Sequence, residues 1–364
     1  MLRDKEEILL KALLKDFRCT PGRIIIHRGS SCQNDCIYCK EKKINTPPLD
    51  SSVISNIIED ARETGAEVIA FYGGEPSLYE DLPELVRKSI NTGLKAAITT
   101  NGSSHNCNNE RYIKDLFENK FIRLTMSVNS VNPEISDRIA GREGNFRRQC
   151  RFLELIKRLI PGETEFFVNI TVMRDNYREL PSIFSFLTKY DFIKDIFLLP
   201  VKSVPERFLT VDMIEDYKIN IVAELLEMGK KTGAKKYKMF FRDVSNLFGT
   251  SHEDSVKASG GIYSHGNTKS ICAASSGEIF IAPDNKKAGE IRYYACCRSY
   301  LAGISLFNRS FNYGGMDLKK FIKQFNPSVH GIRPEEHVFC QTECNKYIAL
   351  FNRRFTELRT QKGL

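Results

Sequence analysis

The sequence predicts an α/β protein built on an open, parallel (βα)6 barrel, and three observations carry that prediction. Short β-branched runs alternate with amphipathic helical stretches about six times between residues 21 and 235. Strands that alternate with helices pair in parallel through right-handed crossovers. The glycine-rich, cysteine-bearing and amide-rich segments each fall just after a predicted strand, the end at which parallel barrels collect their ligand sites. The analogy to the closed eightfold barrel is one of fold alone.

Residues 4–17 place Ile8, Leu9, Leu13, Leu14 and Phe17 at helical spacing, which predicts a capping helix within residues 1–20. Arg23-Ile-Ile-Ile-His27 is a buried strand by its β-branched run. Helix 51–64 leads to strand 67–72, helix 80–92 (closed by Gly93) to strand 95–100, and helix 110–119 to strand 121–128. Helix 145–160, stopped by Pro161-Gly162, leads to strand 165–173; helix 177–189 leads to strand 195–199; helix 211–231 ends near Gly233. From about residue 235 the pattern changes. Gly260-Gly261 and the Ser/Gly/Asn-rich stretch to Lys269 read as a linker, Gly277–Asp284 as a strand and turn, and 343–359 as a helix. The division expected is therefore 1–20, 21–235 and 236–364.

A chain of 364 residues accommodates one large domain and a smaller one. Its 41% hydrophobic and 27% charged content is that of a globular protein. No apolar run approaches ~18 residues, so no membrane span is expected, and the mixed charges of Met-Leu-Arg-Asp-Lys-Glu-Glu exclude a signal-peptide core. Eleven cysteines, an odd number in such a chain, point to reduced thiols, metal sites and a cytoplasmic setting. The net charge of +9 is spread over short runs such as Lys42-Lys43 and Lys286-Lys287, the pattern of a solvated surface rather than a nucleic-acid groove.

The chemistry centres on Cys32-Gln-Asn-Asp-Cys36-Ile-Tyr38-Cys39. Three cysteines separated by three residues and then two can turn three thiolates towards one point. Soft sulfur ligands select iron–sulfur clusters, and three of them leave one iron open to substrate. A zinc site short of one ligand is the alternative. With Tyr38 before its last cysteine, the motif resembles the cluster loop of the radical S-adenosylmethionine enzymes. That resemblance implies a partial barrel, a 4Fe–4S cluster on Cys32, Cys36 and Cys39, and S-adenosylmethionine chelating the open iron.

Gly73-Gly74-Glu75-Pro76 follows the second strand. Two glycines let a ligand approach the backbone, whose N–H and C=O groups suit an amino-acid moiety, while Glu75 offers an acceptor for an ammonium group. The segment resembles the methionine-binding motif of the same family. Thr100 and Asn101 end the third strand, Ser127 and Asn129 the fourth, and Asn169 interrupts the apolar fifth; with Tyr38 these are the candidates to meet the cofactor. A buried amide needs partners, which makes Asn169 a candidate for the adenosyl group. The resemblance implies Ser127 for the ribose or carboxylate and Arg138 for the carboxylate, with Arg142 as its competitor. His27 and His105 read as ordinary structural histidines, and Cys19, Cys107 and Cys150 as incidental.

A second set comprises Cys272, Cys296, Cys297, Cys340 and Cys344. Cys340 and Cys344 share one face if helical; the adjacent Cys296 and Cys297 point to opposite sides if extended. Cys272, one of Cys296/Cys297, Cys340 and Cys344 would close a four-ligand site for a cluster or for zinc. The run from Cys272 to Asp284 and the later Cys-x3-Cys resemble the shortened, "twitch" form of the SPASM domain, which implies one auxiliary 4Fe–4S cluster. The spare thiol of Cys296/Cys297 is a candidate hydrogen-atom donor.

The function expected is thus reductive cleavage of S-adenosylmethionine to a 5′-deoxyadenosyl radical, which abstracts a hydrogen atom from a substrate. Oxidation, cross-linking or epimerisation of a peptide leads the candidates. A sugar or other small molecule is the alternative, followed by RNA modification and a non-catalytic iron–sulfur carrier, which has no need of Gly73–Pro76. A ferredoxin or flavodoxin would supply electrons. A leader-peptide-binding domain is expected before the barrel of a peptide-modifying enzyme, but only about 20 residues precede it, which weakens the peptide reading without excluding it, because such a module can be a separate protein.

Overall fold

The computed structural model describes residues 22–118, 122–201, 204–232, 236–248, 278–287, 289–294, 311–312 and 317–320. The expected capping helix 4–17, Cys19, the Gly260-Gly261 linker, Cys272, Cys296, Cys297, Cys340, Cys344 and helix 343–359 lie outside the described residues. Six parallel strands run β1 (Arg23–His27), β2 (Val68–Tyr72), β3 (Lys95–Thr100), β4 (Ile122–Ser127), β5 (Glu165–Val172) and β6 (Ile193–Pro200). The described sheet also takes in β7 (Glu278–Pro283), β8 (Glu290–Tyr294) and β9 (Phe311–Asn312), in the order β6-β5-β4-β3-β2-β1-β7-β8-β9. β7 pairs parallel to β1, Arg23 opposite Glu278, while β8 and β9 are antiparallel. The fold is therefore α/β with a parallel-dominated sheet.

The crossovers are α1 (Ser51–Glu63), α2 (Leu82–Asn91), α3 (Glu110–Phe117), α4 (Pro133–Ala140) with α5 (Asn145–Leu159), and α6 (Leu180–Leu187). Ile54, Ile57, Ile58 and Ala61 of α1 and Leu82, Leu85 and Val86 of α2 are buried at helical spacing on one core. Each such side chain withdrawn from water contributes about 1.5–3 kcal/mol. The stretch 211–231 comprises α7 (Val211–Asp216), a π-helical turn over Tyr217–Ile221 and α8 (Val222–Thr232). Beyond residue 235, α9 (Lys238–Asn246) packs on β6. Asp195 accepts from Met239 N at 3.0 Å and Phe240 N at 3.2 Å, and Phe240 stacks on Phe184 at 4.6 Å.

One helix departs from the sequence reading. No helix is expected between strand 121–128 and helix 145–160, and the structure places α4 there. Asn132 caps it, accepting from Glu134 N at 3.0 Å and Ile135 N at 3.2 Å; Pro133 occupies its first turn and Gly141 ends it at φ +60°.

β4 and β5 show why the sheet has a working face. Ile122, Leu124 and Met126, then Phe166, Val168, Ile170 and Val172, are buried under the helices, whereas Arg123, Thr125, Ser127, Phe167, Asn169 and Thr171 alternate with them on a half-buried face. Ser127 lies opposite Asn169 in register, at the carboxyl end of that face.

Candidate active site

The cysteine loop follows β1 directly and is gripped from two sides. Asp35 N donates to Ala140 O at 2.8 Å and Ile37 N to Ile139 O at 3.0 Å, so the loop satisfies carbonyls that end α4. A Cβ on Gly141 would lie 2.4 Å from Asp35 O, so this contact, like the positive φ, demands glycine. On the other side Gln33 Nε2 donates to Asn101 Oδ1 at 2.8 Å and to Ser103 Oγ at 3.1 Å, and Asn34 Nδ2 donates to Asn145 Oδ1 at 3.2 Å.

Cys32, Cys36 and Cys39 are half-buried thiols outside any disulfide, and Cys39 N turns back to Cys36 O at 3.0 Å. Burial, and then the charges of Cys39 and Cys32, push the Cys36 thiol up to about 12. Burial pushes Cys32 up to about 11, with Glu75 and Cys39 adding to the rise. The thiols are close enough to oppose one another's ionisation, and a cationic centre among them reverses that opposition. Among the described residues no group of three or more His, Cys, Asp or Glu side chains makes a site for a metal ion. Three cysteine thiols on one loop are the donor type that holds an iron–sulfur cluster.

Gly73 and Gly74 are packed against the entry to that loop. Gly74 N donates to Gly29 O and Glu75 N to Ser31 O, both at 2.8 Å. A Cβ on Gly73, whose φ is +134°, would lie 2.7 Å from Gly29 O, and one on Gly74 would lie 2.2 Å from Ser31 O. The glycines are thus required by the cysteine loop itself. The N–H groups of Gly74 and Glu75, expected to be open, are taken; the carbonyls of Gly73 and Gly74 accept no hydrogen bond among the described residues. Replacing Gly74 with Ala should displace Ser30–Ser31 and destabilise the chain by about 2 kcal/mol or more, read by denaturant unfolding; unchanged stability would contradict this packing.

Glu75, expected to offer its carboxylate to an ammonium group, is buried, and that carboxylate is a strut between strand ends. Oε1 accepts from Ser77 N at 3.0 Å, Ser77 Oγ at 2.5 Å and Thr100 Oγ1 at 2.6 Å, and Oε2 from Asn101 N at 2.6 Å. Burial pushes its carboxyl up, opposed by these four donors. Thr100 belongs to the same network: its Oγ1 also accepts from Gly102 N at 3.0 Å. Pro76 opens a short 3-10 turn beneath it.

Other expected residues divide similarly. Asn129 is spent on Tyr38, donating to its hydroxyl at 2.9 Å while accepting from Thr171 N at 2.8 Å. Tyr38 stands over the cysteines in an apolar cluster with Ile139, Met173 and Phe208, and burial lifts its phenol well above the ordinary range. Ser127 and Asn169 remain on the half-buried face with no side-chain partner among the described residues. Gln149, which no sequence signal singles out, ties the third and fourth strand ends by donating to Asn101 O and Ser127 O, each at 2.8 Å.

Arg138 is exposed on α4. Its competitor Arg142 is the better-placed cation: Nη1 donates to Ser103 O at 2.9 Å, and the guanidinium senses Cys32. Burial and neighbouring Arg148, absent from the sequence reading, pull Arg142 down. His27 is buried between the Tyr72 and Phe280 rings, 3.3 Å from Glu41, and His105 meets Glu80 at the surface, as befits structural histidines.

Residues 26–187 match the family model described as the Radical SAM superfamily. The AdoMet-dependent heme synthase of Oleidesulfovibrio alaskensis is 29% identical over 157 residues, covering 42% of this chain and 39% of that protein. The PqqA peptide cyclase of Xanthomonas oryzae pv. oryzae is 26% identical over 167 residues, 45% of this chain and 43% of that one. The matches therefore span about two fifths of these relatives' lengths. Among solved structures, SuiB of Streptococcus suis bound to its precursor peptide SuiA superposes with a TM-score of 0.62 at 15% identity, covering 91% of this chain and 71% of that one, a likeness of fold. The span matched by the family model contains the three-cysteine loop and Gly73–Pro76.

Proposed function

We propose that the chain is a radical S-adenosylmethionine enzyme whose substrate is a peptide. The observation that carries the reading is the three-cysteine loop held by backbone bonds against Gly73-Gly74, with Arg142 bonded to Ser103 O, whose side chain in turn meets that loop. When bound, the cluster and S-adenosylmethionine supply reductive cleavage to methionine and a 5′-deoxyadenosyl radical. Cys32, Cys36 and Cys39 would hold the cluster. The carbonyls of Gly73 and Gly74 would accept from the ammonium, Arg142 with Arg148 would meet the carboxylate, and Ser127 and Asn169 would serve the ribose and adenine. The half-buried face with Thr125, Phe167, Thr171 and Phe197 orients the substrate bond and limits water.

The peptide reading is supported by the PqqA peptide cyclase and by SuiB with its precursor peptide. The heme synthase favours a second reading, a small-molecule substrate. Beyond this core the proposal keeps the divisions 1–20, 21–235 and 236–364, a curved partial barrel, and an auxiliary cluster on Cys272, Cys340, Cys344 and one of Cys296/Cys297. The outcome is oxidation, cross-linking or epimerisation, with a ferredoxin-type reductant, in the cytoplasm. Dithionite-reduced, anaerobically reconstituted chain should convert S-adenosylmethionine to 5′-deoxyadenosine. Arg142→Ala with Arg148→Ala should weaken S-adenosylmethionine binding about tenfold or more while retaining iron. No cleavage by cluster-loaded chain would instead favour an electron carrier.

A further inference from the structure

Asn101 was expected to meet the cofactor; its side chain instead faces a cluster ligand. Nδ2 lies 3.6 Å from Cys32 Sγ, within the range of an N–H···S hydrogen bond. Which end of the amide faces the sulfur is settled by its other partners. Oδ1 accepts from the Ser103 backbone N–H at 2.9 Å, from Gln33 Nε2 at 2.8 Å and from Ser103 Oγ at 3.0 Å. A backbone N–H can only donate, so the acceptor end is fixed on Ser103 and the donor end is left for Cys32. The backbone of Asn101 is pinned as well, by its N–H to Glu75 at 2.6 Å and its carbonyl to Gln149 at 2.8 Å.

We propose that Asn101 is a positioning residue that raises the reduction potential of the cluster on Cys32, Cys36 and Cys39 through this bond. The inference rests on the iron–sulfur reading above. An N–H aimed at a thiolate stabilises negative charge on the sulfur, and more so in the reduced, more negative cluster. Removing it makes the cluster harder to reduce. The three-residue run Asn101-Gly102-Ser103 thereby joins the Glu75 strut to the electronics of the cluster loop.

The test is an EPR-monitored redox titration of the anaerobically reconstituted full chain. Asn101→Ala should titrate at a more negative potential than wild type at equal iron content. Ser103→Ala, which loosens the far side of Asn101 without touching the sulfur, should shift it less. An unshifted Asn101→Ala, or an equal shift in Ser103→Ala, would overturn the proposal. Should Asn101→Ala not retain iron, Asn101→Asp is compared with Ser103→Asp, which adds a charge beside the loop but keeps the donor. A more negative potential for Asn101→Asp supports the bond, and equal potentials overturn it. Failure of the wild-type chain itself to take up iron would remove the cluster reading and this inference with it.

Discussion

Replacing Cys36 with Ala should leave a folded chain that neither retains the loop's cluster nor forms 5′-deoxyadenosine above background. The side chain is half-buried and its backbone neighbours do the structural work: Asp35 N and Ile37 N bind the end of α4, and Cys39 N binds Cys36 O. None of these bonds needs the sulfur, so the loop should keep its path. The thiolate is needed for the iron alone, because two remaining ligands leave a second iron open. The check is iron and sulfide content beside the rate of S-adenosylmethionine cleavage. Retained cleavage would refute the site, and loss of the folded circular-dichroism signal would refute the claim that Cys36 is dispensable for the fold.

Glu75→Gln should cost about 3 kcal/mol of stability, although the side chains match in size. Four donors converge on the two carboxylate oxygens, two of them backbone N–H groups that cannot reverse. The amide nitrogen of Gln must face either Asn101 N–H or Ser77 N–H, leaving a buried donor unsatisfied and repelled. Because Asn101 N and Thr100 Oγ1 lie on the receiving side, the third strand end should move with it, and S-adenosylmethionine binding should fall. Denaturant unfolding at neutral pH checks the stability. A loss below about 0.5 kcal/mol would mean that the carboxylate is not the strut that four bonds of 2.5–3.0 Å describe.

What was legible in the sequence was local. Arg23–His27, Lys95–Thr100 and the helix from Ser51 follow from β-branched runs and turn residues near at hand, and the structure has them within a residue or so. The cysteine spacing likewise sits inside one loop. Helix α4 was missed although Asn132-Pro133 and Gly141 mark both its ends, because eight residues give too few turns for a clear apolar period. The helical path places Arg138 at the surface, whereas Arg142, just past the helix, bonds to Ser103 O. The hydrogen-bond networks of Glu75, Thr100 and Asn129 were not legible for another reason. Their partners lie 25, 26, 42 and 91 positions away, and nothing in the spacing announces them. Gly74 was recognised as a point of close approach, but the group that approaches is Ser31 of the cysteine loop.

The most direct test of the central claim is the EPR spectrum of the dithionite-reduced, reconstituted chain with and without S-adenosylmethionine, using Cys272→Ala/Cys340→Ala/Cys344→Ala protein so that only the loop's cluster reports. The account predicts a reduced 4Fe–4S signal whose line shape changes when S-adenosylmethionine is added, because the iron without a protein ligand gains one. A cluster signal indifferent to S-adenosylmethionine, or no iron held by Cys32, Cys36 and Cys39 at all, would contradict it.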